Sequence, residues 1–500
     1  MKVLLVSTYE LGHQPVHLAS PAAALLRRGH DVHCVDLSVE PWDPAHLDGV
    51  EAAALSVPMH TAMRLALRVA TTIRDVRPDL PICLYGLYAS TGHDMLVGTL
   101  VDRVIAGEYE PALIRWVGSI RGPTATLPKD EPEDPDDLEV VHLQRGGFGL
   151  PARHLLPPLE RYARLSVDGE ERLVGSVEAS HGCGFSCRHC PVPPVYEGRI
   201  RIVGAETVLA DIDQLVRAGA RHISFGDPDF LNGIQHSRRI VAEMHRRHPR
   251  LTFDCTTKVE LILRHRGVWP EFAAAGCLFV VSAFETTNDE ILRILDKGHT
   301  RADMVAAIGL LRGEQIEIRP SLLPFTPWTT VDDLVDLMDF VAAHGLVGNV
   351  DPVHYSIRLL VPEDSLLVEQ PVMSPFLREY VPERLGYEWR SRDPRLDDLQ
   401  RRIASLVEAA AASGLPVDTT YAQVRRMVAA AAGREDDGWA PDEDTVAAAR
   451  SRPRLTEAWF CCAEPTELQM GPLGRTGCGS EAAAGAGAHA RPDRYFFDGS

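Results

Sequence analysis

The sequence lacks the long apolar runs and the basic clusters that mark membrane and nucleic-acid-binding proteins. No apolar stretch approaches the ~20 residues that a helix needs to span a membrane. The net charge of −19 and the absence of a basic run argue against nonspecific nucleic-acid binding. Residues 1–6 have the pattern of a first strand and lack a small-residue cleavage site, so we expect no signal peptide. These absences argue against membrane and nucleic-acid partners. The chain of 500 residues is long enough for two to four domains.

The ten cysteines also lack the spacing of a disulfide framework, which suits a reducing cytoplasm. One spacing stands out, because residues 183–190 place three cysteines as CxxxCxxC after a strand-like apolar run. Three thiolates hold three irons of a 4Fe–4S cubane and leave the fourth iron open. A zinc site needs a fourth Cys or His at matching spacing; His181 and His189 are close, but no second CxxC pair follows. Zinc and unligated thiols remain as weaker alternatives. The predicted cluster ligands are Cys183, Cys187 and Cys190.

This motif resembles the signature of the radical S-adenosylmethionine (SAM) superfamily, with His189 where that family usually has an aromatic residue. The resemblance implies that the amino and carboxylate groups of SAM chelate the open iron. It also implies that an electron from the cluster breaks a C–S bond of the sulfonium and releases a carbon radical. The cofactors carry this chemistry, and the protein supplies orientation and exclusion of water. An external electron donor of the flavodoxin or ferredoxin type is implied as a partner.

Residues 1–150 alternate strand and helix patterns, which predicts a Rossmann-like, doubly wound parallel sheet. Such sheets bind ligands at the carboxyl ends of their strands. The predicted strands are Lys2–Thr8, His30–Leu37, Glu51–Val57, Leu80–Tyr88 and Val101–Ala106, and the clearest helices are His17–Gly29 and Thr61–Val76.

The same region resembles the cobalamin-binding-type domain that precedes the barrel in one large radical SAM class. The matching pieces are residues 12–19, 28–32 and 104–110. The DxHxxG loop that supplies a cobalt-ligating histidine in some cobalamin proteins is absent. His13 or His17 remains a candidate ligand, although each also fits an ordinary loop or helix-start position. Cobalamin is therefore an open possibility that we do not favour over a domain kept as scaffold or lid.

Residues 120–170 are loop-rich, and the acidic, proline-containing segment 126–137 is typical of a solvated linker. Residues 171–365 form a second series of alternating strands and helices. In the family, this series implies a partial (β/α)6 barrel with the cluster loop at the carboxyl end of its first strand, where parallel barrels bind substrates. The predicted strands are Leu173–Ala179, His222–Phe225, Leu251–Cys255, Cys277–Phe284, Ile316–Pro320 and Asp351–Leu360. The predicted helices are Ala205–Ala218, Gln235–Arg246, Leu261–Ala275, Asp289–Leu295, Arg301–Arg312 and Val331–His344.

Several residues at the predicted barrel mouth match the family's SAM-binding positions. Gly226-Asp227-Pro228 aligns with the family's Gly-Glu-Pro segment, whose backbone contacts the SAM amino group; without the cysteine motif it would be an ordinary turn. The family often places Ser or Glu at the end of the fourth strand, where this sequence has Ser282 and Glu285. Further predicted SAM contacts are Arg319 and Arg358, whose guanidinium groups suit a carboxylate and equally suit pairing within the barrel.

Three other charged residues near the strand ends are weaker candidates. Lys258 and Glu260 follow the third strand, and each is a candidate SAM contact or an ordinary structural residue. Lys297 lies in a segment that recurs in the family, and it fits a helix C-terminal cation as well.

Residues 366–470 are predicted to be mostly helical, with Leu396–Ala412 and Thr420–Ala432 the clearest helices, and the Gly/Ala-rich residues 471–500 are predicted to be a flexible tail. The pair Cys461-Cys462 is the second sharp signal. Adjacent cysteines rarely bridge each other, but together, or with Cys478, they suit a soft, thiophilic atom. The simpler interpretation is a buried apolar pair.

The segment Cys461-Cys462-Ala463-Glu464-Pro465, with the cluster motif and the N-terminal domain, resembles the CUAEP/CCAEP-tail family of radical SAM proteins. That family includes the radical SAM enzyme of arsinothricin biosynthesis, an antibiotic pathway. The resemblance implies a transferase that moves the 3-amino-3-carboxypropyl group of SAM to trivalent arsenic held by Cys461 and Cys462. The alternatives are a cobalamin-dependent radical SAM methyltransferase, another radical SAM natural-product enzyme that uses a 5′-deoxyadenosyl radical and, least favoured, a metalloid sensor.

Overall fold

The computed structural model describes residues 1–120, 139–144, 148–435, 438–457 and 470. The predicted cysteine pair Cys461-Cys462, the predicted third sulfur of Cys478 and the predicted tail lie outside the described residues. Most of the predicted linker does so too. No helix within the described ranges is long and apolar enough to cross a membrane. The predicted domain boundaries remain predictions.

The N-terminal domain is one parallel sheet with helices packed on both faces. The strand order β2-β1-β3-β4-β5-β6 reverses direction between β1 and β3, and doubly wound sheets bind ligands at such a reversal. The strands are β1 Lys2–Ser7, β2 Asp31–Asp36, β3 Ala52–Ser56, β4 Ile82–Tyr85, β5 Arg103–Gly107 and β6 Val141–His142. The helices are α1 Val16–Arg27, α2 His60–Val76, α3 His93–Leu96 and α4 Tyr109–Ser119.

The central strands of the N-terminal sheet are buried because their sequences are apolar. Every residue of β3 is buried, and five of the six residues of β1 are buried. Strands that are covered on both faces need apolar side chains at consecutive positions rather than in alternation. Each face of the sheet therefore carries its own apolar core.

The second sheet is the curled sheet of a partial barrel, with the order β14-β13-β12-β11-β8-β7-β17, in which β17 is Arg454–Leu455 from the C-terminal region. Strands β8 and β11 to β14 run parallel, and β7 and β17 extend the edge in antiparallel pairing. The strands are β7 Arg164–Val167, β8 Glu170–Val177, β9 Ser180–Gly182, β10 Ile200–Ile202, β11 His222–Phe225, β12 Thr252–Thr256, β13 Cys277–Glu285 and β14 Glu317–Leu322. The helices are α5 Val192–Tyr196, α6 Ala205–Arg217, α7 Ile234–Arg247, α8 Val259–Arg264, α9 Trp269–Ala274, α10 Asp289–Ile294, α11 Arg301–Gly313 and α12 Val331–Ala343.

Two predicted elements of the barrel were wrong in detail, and proline accounts for both. The predicted sixth strand, Asp351–Leu360, is instead a short 3-10 helix, Pro352–Tyr355, followed by a single bridge from Arg358 to Phe325. Pro352 has no N–H to donate to a ladder and fits the first turn of a helix. The predicted helix Leu261–Ala275 is divided into α8 and α9, with Pro270 in the first turn of α9.

The C-terminal region is mainly helical, as predicted, and it packs against the barrel. Its helices are α13 Pro394–Ala412, α14 Val417–Ala431 and α15 Glu443–Ser451, and its strands are β15 Leu377–Val381, β16 Gly386–Trp389 and β17 Arg454–Leu455. The Tyr421 hydroxyl of α14 donates to the Met338 carbonyl of α12 over 2.6 Å. The strand β17 then pairs with β7, which returns the chain to the barrel edge nearest the N-terminal domain.

Candidate active site

The three predicted cluster cysteines lie in the connection between two short paired strands, β9 and β10. Gly182 directly precedes Cys183 and has a φ of +75°, and a Cβ at that position would collide with the carbonyl oxygen of Arg199. Only glycine meets both conditions at low cost. Further along the loop, the Cys190 N–H donates to the Cys187 carbonyl over 3.1 Å, which turns the chain between these two ligands.

The cysteine loop lies between the two domains. Cys187 is buried, whereas Cys183 and Cys190 are partly buried and pack against the apolar core of the N-terminal sheet. Burial raises the pKa of the Cys183 thiol to about 11. Because metal ligation requires the thiolate, a bound cluster has to supply the charge that removes this proton.

The donor set suits a multi-iron cluster better than a single ion. In the parts of the chain that the structure describes, no group of three His, Cys, Asp or Glu side chains could hold one metal ion. A zinc site requires its ligands to converge on one point. The cysteines of a cubane each bind a different iron, so their sulfur atoms do not have to converge.

A buried ionic triad holds the cysteine loop against the barrel. Glu285, at the end of β13, accepts from Lys297 Nζ at 2.9 Å, and its Oε1 atom lies 3.1 Å from His189 Nε2. All three side chains are buried. Burial favours the neutral form of Glu285, but Lys297 and His189 outweigh it and hold the pKa of that carboxyl well below its usual range. The prediction of Glu285 as a SAM contact stays a prediction, and Lys297 is its partner rather than a helix-end cation.

Asp227 supports the junction between the first barrel strand and the cysteine hairpin. Its carboxylate accepts from the Ala179 N–H at 2.9 Å and from the Ser180 hydroxyl at 2.6 Å. Burial raises the pKa of Asp227 to about 7. Its neighbours Gly226 and Pro228 face the central cavity described below. The backbone of this segment is therefore accessible from the cavity, and its predicted contact with SAM stays a prediction. The Asp227 side chain stabilises the start of the cysteine hairpin.

The two predicted SAM-binding arginines are held in structural pairs. Arg319 donates to Asp351 Oδ1 at 2.7 Å and to a carbonyl oxygen of residue 453. Arg358 donates to Asp397 Oδ1 at 2.7 Å, and its guanidinium carbon lies 3.5 Å from the centre of the Trp389 ring.

Two candidates remain, Ser282 within β13 and Lys258 beside the cysteine loop. Ser282 is fully buried, and its hydroxyl has no hydrogen-bond partner among the described residues. Lys258 Nζ lies 3.7 Å from the centre of the Phe185 ring, which belongs to the cysteine loop, and 3.8 Å from Glu260 Oε2. Lys258 and Glu260 therefore contact each other, and a role of either in binding SAM stays a prediction.

A cavity of about 220 Å³ lies where the carboxyl ends of the two sheets face each other. From the N-terminal domain it is lined by residues that follow β1, β3, β4 and β5, including Glu10, Met59 and Tyr109. From the barrel it is lined by residues at the ends of β8, β11, β12 and β13, including Gly226. Both sheets therefore direct their usual ligand-binding edges into one space.

A chain of charged hydrogen bonds crosses one wall of this cavity. Glu178, which follows β8, lies 3.3 Å from His17 Nε2 and 3.2 Å from His181 Nε2. The other ring nitrogen of His17 lies 2.8 Å from the Tyr109 hydroxyl. Burial lowers the pKa of His17, but Glu178 outweighs it, and the net effect raises that pKa to about 9.

This series of hydrogen bonds continues to Glu108, a residue that the sequence analysis did not identify as part of the site. The fully buried Glu108 carboxylate lies 3.1 Å from His181 Nδ1 and accepts from the Tyr196 hydroxyl at 3.0 Å. His181 and Glu108 come from different domains, so sequence spacing could not have paired them. The available signal was a carboxylate at the carboxyl end of a buried strand, where Glu285 also lies.

Residues 177–341 match the family model for the radical SAM superfamily. The chain carries a radical SAM domain. This match confirms the predictions of a radical SAM enzyme and of a 4Fe–4S cluster and SAM as its cofactors. It covers the parallel strands from β11 onward, the cysteine loop and the Gly226 segment.

Two curated relatives match at low identity. Hopanoid C-3 methylase of Methylococcus capsulatus is 23% identical over 337 residues, which is 63% of this chain and 62% of that protein. The tRNA-2-methylthio-N(6)-dimethylallyladenosine synthase of Fusobacterium nucleatum is 25% identical over 207 residues, 37% of this chain and 43% of that protein. The chain thus spans less than two thirds of either relative.

Two solved structures share the arrangement of the radical SAM domain behind an N-terminal sheet. The cobalamin-dependent radical SAM enzyme OxsB has a TM-score of 0.64 at 15% identity, over 82% of this chain and 66% of that one. The radical SAM methyltransferase TsrM from Kitasatospora setae, solved with cobalamin and a 4Fe–4S cluster, has a TM-score of 0.51 at 18% identity, over 69% and 70%. At this identity the likeness shows the fold.

The histidines of the N-terminal domain that line the cavity are the candidate ligands for a corrinoid. The cavity lies at the strand-order reversal between β1 and β3, the general ligand position of such sheets. Both ring nitrogens of His17 are engaged, by Tyr109 and Glu178, so His17 offers no free cobalt ligand. His13 lines the cavity and has no hydrogen bond through its ring to any described residue. Of the histidines that line the cavity, His13 is therefore the one whose ring would be able to hold the cobalt of a corrinoid.

Proposed function

We propose that this chain is a radical SAM transferase whose acceptor substrate binds in the cavity between the two sheets. The observation that carries the proposal is the lining of that cavity, which includes Gly226 and Pro228 of the predicted SAM segment and Gly182, the residue before Cys183. When bound, the cluster and SAM supply a carbon-centred group by reductive cleavage, with one electron from an external donor. The protein's own residues then orient the acceptor and exclude water.

The first candidate reaction is transfer of the 3-amino-3-carboxypropyl group of SAM to trivalent arsenic held by Cys461 and Cys462. A vicinal thiol pair suits a soft, thiophilic atom. Support comes from the residues that flank this segment. Leu455 lines the cavity, and Glu457 accepts from the Tyr9 hydroxyl at 2.8 Å. On the other side, the carbonyl of Met470 accepts from Arg68 of α2 at 2.7 Å. Both flanks are therefore attached to the N-terminal domain.

The second candidate is cobalamin-dependent radical methylation. It is supported by the fold shared with OxsB and TsrM, and by a cavity at the ligand-binding reversal of the N-terminal sheet. This reaction requires a corrinoid in the purified protein. It releases 5′-deoxyadenosine and S-adenosylhomocysteine, whereas the first candidate releases methylthioadenosine.

One experiment separates the candidates. The protein is reconstituted anaerobically with iron and sulfide, given SAM and a strong reductant with and without arsenite, and its nucleoside products are identified by mass spectrometry. Methylthioadenosine that rises with arsenite, together with a new arsenic–carbon species, supports the first candidate. Corrinoid absorbance with S-adenosylhomocysteine supports the second. No nucleoside product from a protein with a full cluster contradicts both candidates.

Variants of the cysteine pair test the thiol role directly. Cys461→Ala together with Cys462→Ala is expected to abolish the arsenic–carbon product while SAM still binds. Cys34→Ala is the control, since Cys34 is a buried thiol within the N-terminal core. Product formation that survives the double change shows that the thiol pair does not hold arsenic.

A further inference from the structure

The loop between β1 and α1, residues 8–15, is held in an unusual backbone conformation. Leu11 and Gly12 have φ angles of +52° and +71°. A non-glycine residue in this region is strained and persists where the surroundings enforce it, often at ligand sites. In this protein, contacts with Ala163 and Glu457 hold the loop in this conformation. The Ala163 N–H donates to the Gly12 carbonyl at 2.8 Å, and Glu457 Cβ lies 2.8 Å from the point where a Cβ on Gly12 would be.

This conformation directs Glu10 and His13 into the cavity, opposite Gly226 and Pro228. The His13 N–H donates to the Glu10 carbonyl at 2.9 Å, which fixes the spacing of the two residues. Glu10 Oε1 is buried and has no hydrogen-bond partner among the described residues. Leaving a buried polar atom unpaired costs about 1–3 kcal/mol. Such an atom in a ligand-sized space is explained if a ligand completes its hydrogen bonding.

The groups that face Glu10 leave it uncharged near neutral pH. Burial raises the pKa of Glu10 to about 8. Asp36 of β2 and Glu178 after β8 raise it further, while His17 of α1 and Arg153 oppose them.

Burial also favours the uncharged form of His13. Burial lowers the pKa of His13, and Asp254 of β12 offsets this only in part. The loop therefore presents two neutral groups that each donate and accept hydrogen bonds. A charged ligand would meet no charged partner on this loop, in a site where an uncompensated charge is costly.

We propose that Glu10 and His13 bind the acceptor substrate as an uncharged, hydroxyl-bearing molecule. The inference rests on the proposed function, because it takes the cavity as the acceptor site. Trivalent arsenic in neutral water is arsenous acid, an uncharged molecule with three hydroxyl groups, and it has this chemistry. Glu10 and His13 would bind free arsenous acid through its hydroxyls beside the predicted SAM segment. Its condensation with the thiols of Cys461 and Cys462 would then form two As–S bonds, release two water molecules and leave one As–OH group.

Substitutions at Glu10 distinguish a neutral hydrogen-bonding group from a charged one. The probe is arsenite at neutral pH, and the readouts are the KM for arsenite and the SAM cleavage measured without acceptor. Glu10→Ala is expected to raise the KM about tenfold, which corresponds to about 1.4 kcal/mol. Glu10→Gln, a neutral isostere, should stay within about twofold of the wild type, by the same arithmetic well under 1 kcal/mol. SAM cleavage without acceptor is recorded for both variants, so that an effect on the KM for arsenite is distinguished from a general loss of activity.

Glu110→Ala is the matched control. Glu110 is also a carboxyl whose pKa burial raises, but it accepts from the Ser20 hydroxyl at 2.7 Å. It lines an adjoining cavity of about 30 Å³ and is not among the residues that line the acceptor cavity. Its substitution should leave the KM for arsenite unchanged.

The pH profile gives an independent readout. In the wild type, arsenite binding should weaken as the pH rises through about 8, because Glu10 then ionises. For Glu10→Gln, arsenite binding should not weaken at about pH 8. It should weaken only where arsenous acid itself ionises. Identical profiles for the two proteins overturn the proposal.

Three further results would overturn it. Glu10→Gln as impaired as Glu10→Ala shows that the ligand needs a charged carboxylate. An unchanged KM in Glu10→Ala shows that the residue does not contact the acceptor. A corrinoid absorbance band that shifts in His13→Ala shows that His13 ligates cobalt.

Chemical labelling separates failure of this inference from failure of the proposed function. A water-soluble carbodiimide labels protonated carboxyls, and labelled Glu10 is detected by peptide mass spectrometry. Arsenite should protect Glu10 in cluster-loaded protein that is given neither SAM nor reductant and therefore forms no product. If the wild type forms no arsenic–carbon product but arsenite still protects Glu10, the transfer reaction fails and the binding site stands. Labelling that arsenite leaves unchanged overturns the binding site whatever the activity.

Discussion

His181 Nδ1 lies 3.1 Å from Glu108 Oε1, and this contact joins the hairpin that carries the cysteine motif to the N-terminal sheet. Burial lowers the pKa of His181, but Glu108 and Glu178 outweigh it and raise that pKa well above its usual range. The contact is thus between a cation and a buried anion. It makes the position of the cysteine loop depend on both domains.

Glu108→Ala is expected to destabilise the protein by about 3–5 kcal/mol, because it leaves one side of a buried ion pair without its partner. It also removes the acceptor of the Tyr196 hydroxyl. The measurement is the thermal melting temperature together with limited proteolysis between the domains. Glu171→Ala is the control, since Glu171 is exposed and its pair with Arg164 is worth little. Equal melting temperatures for the two variants would contradict the role of Glu108.

Arg153 provides a second connection between the domains. It forms a buried ion pair with Asp211 at 2.8 Å and donates to carbonyl oxygens of Gln14 and Ser176. Arg153→Ala should therefore cost about 3–5 kcal/mol. Arg238→Ala removes an exposed bidentate pair with Glu271 and should cost about 0–1 kcal/mol. Denaturant unfolding of both variants checks the contrast, and a similar loss in each would refute it.

The fold could be predicted from the sequence wherever local pattern decides it. Strands β1 to β5, β8 and β11 to β14, most of the helices between them and the position of the cysteine loop follow from apolar runs, glycines and cysteine spacing. The edge strands β6, β7 and β17 were not predicted. The predicted sixth barrel strand failed because Pro352 removes a backbone donor, a local feature that outweighed the apolar run after it. The hairpins β9/β10 and β15/β16 were not predicted, since short paired strands carry little periodic signal.

The candidate site could be predicted only in part, for a different reason. Cys183 and Gly226 carry motifs, so the sequence identified them. Glu108 and Glu10 carry none, and their role depends on which side chains the other domain brings close. Sequence spacing contains no information on such contacts. Side chains at the carboxyl ends of strands, whatever their type, were the signal that would have found them.

Replacing Cys183, Cys187 or Cys190 with alanine, one at a time, should reduce the iron bound after reconstitution and remove the visible absorbance of a 4Fe–4S cluster. Each thiolate holds a different iron, so any one loss opens the cubane. Cys277→Ala is the control, because Cys277 is buried in the barrel core. Iron content that stays at the wild-type level in any of the three variants would remove that cysteine from the ligand set.

Arg358→Ala tests the predicted SAM contact against the pairing seen here. The guanidinium is occupied by Asp397 and by the Trp389 ring, so its loss should lower the melting temperature. The KM for SAM in the cleavage assay should change by less than about twofold, which is under 1 kcal/mol. Gly226→Val, at the cavity wall, is the comparison and should raise that KM. A large rise in Arg358→Ala would restore its role as a SAM contact.

The pH dependence of stability should change when Asp227 is replaced by asparagine. Burial raises the pKa of Asp227 from 3.8 to about 7. Between these values the folded state keeps a proton that the unfolded state has lost, so the stability that this group contributes is fully present below about pH 4 and is lost as the pH rises to about 7. The slope from one such proton is at most about 1.4 kcal/mol per pH unit. Melting temperatures of the two proteins, measured from pH 4 to 8, should differ by an amount that changes up to about pH 7 and is constant above it. A constant difference across the whole range would show that Asp227 is already ionised at low pH.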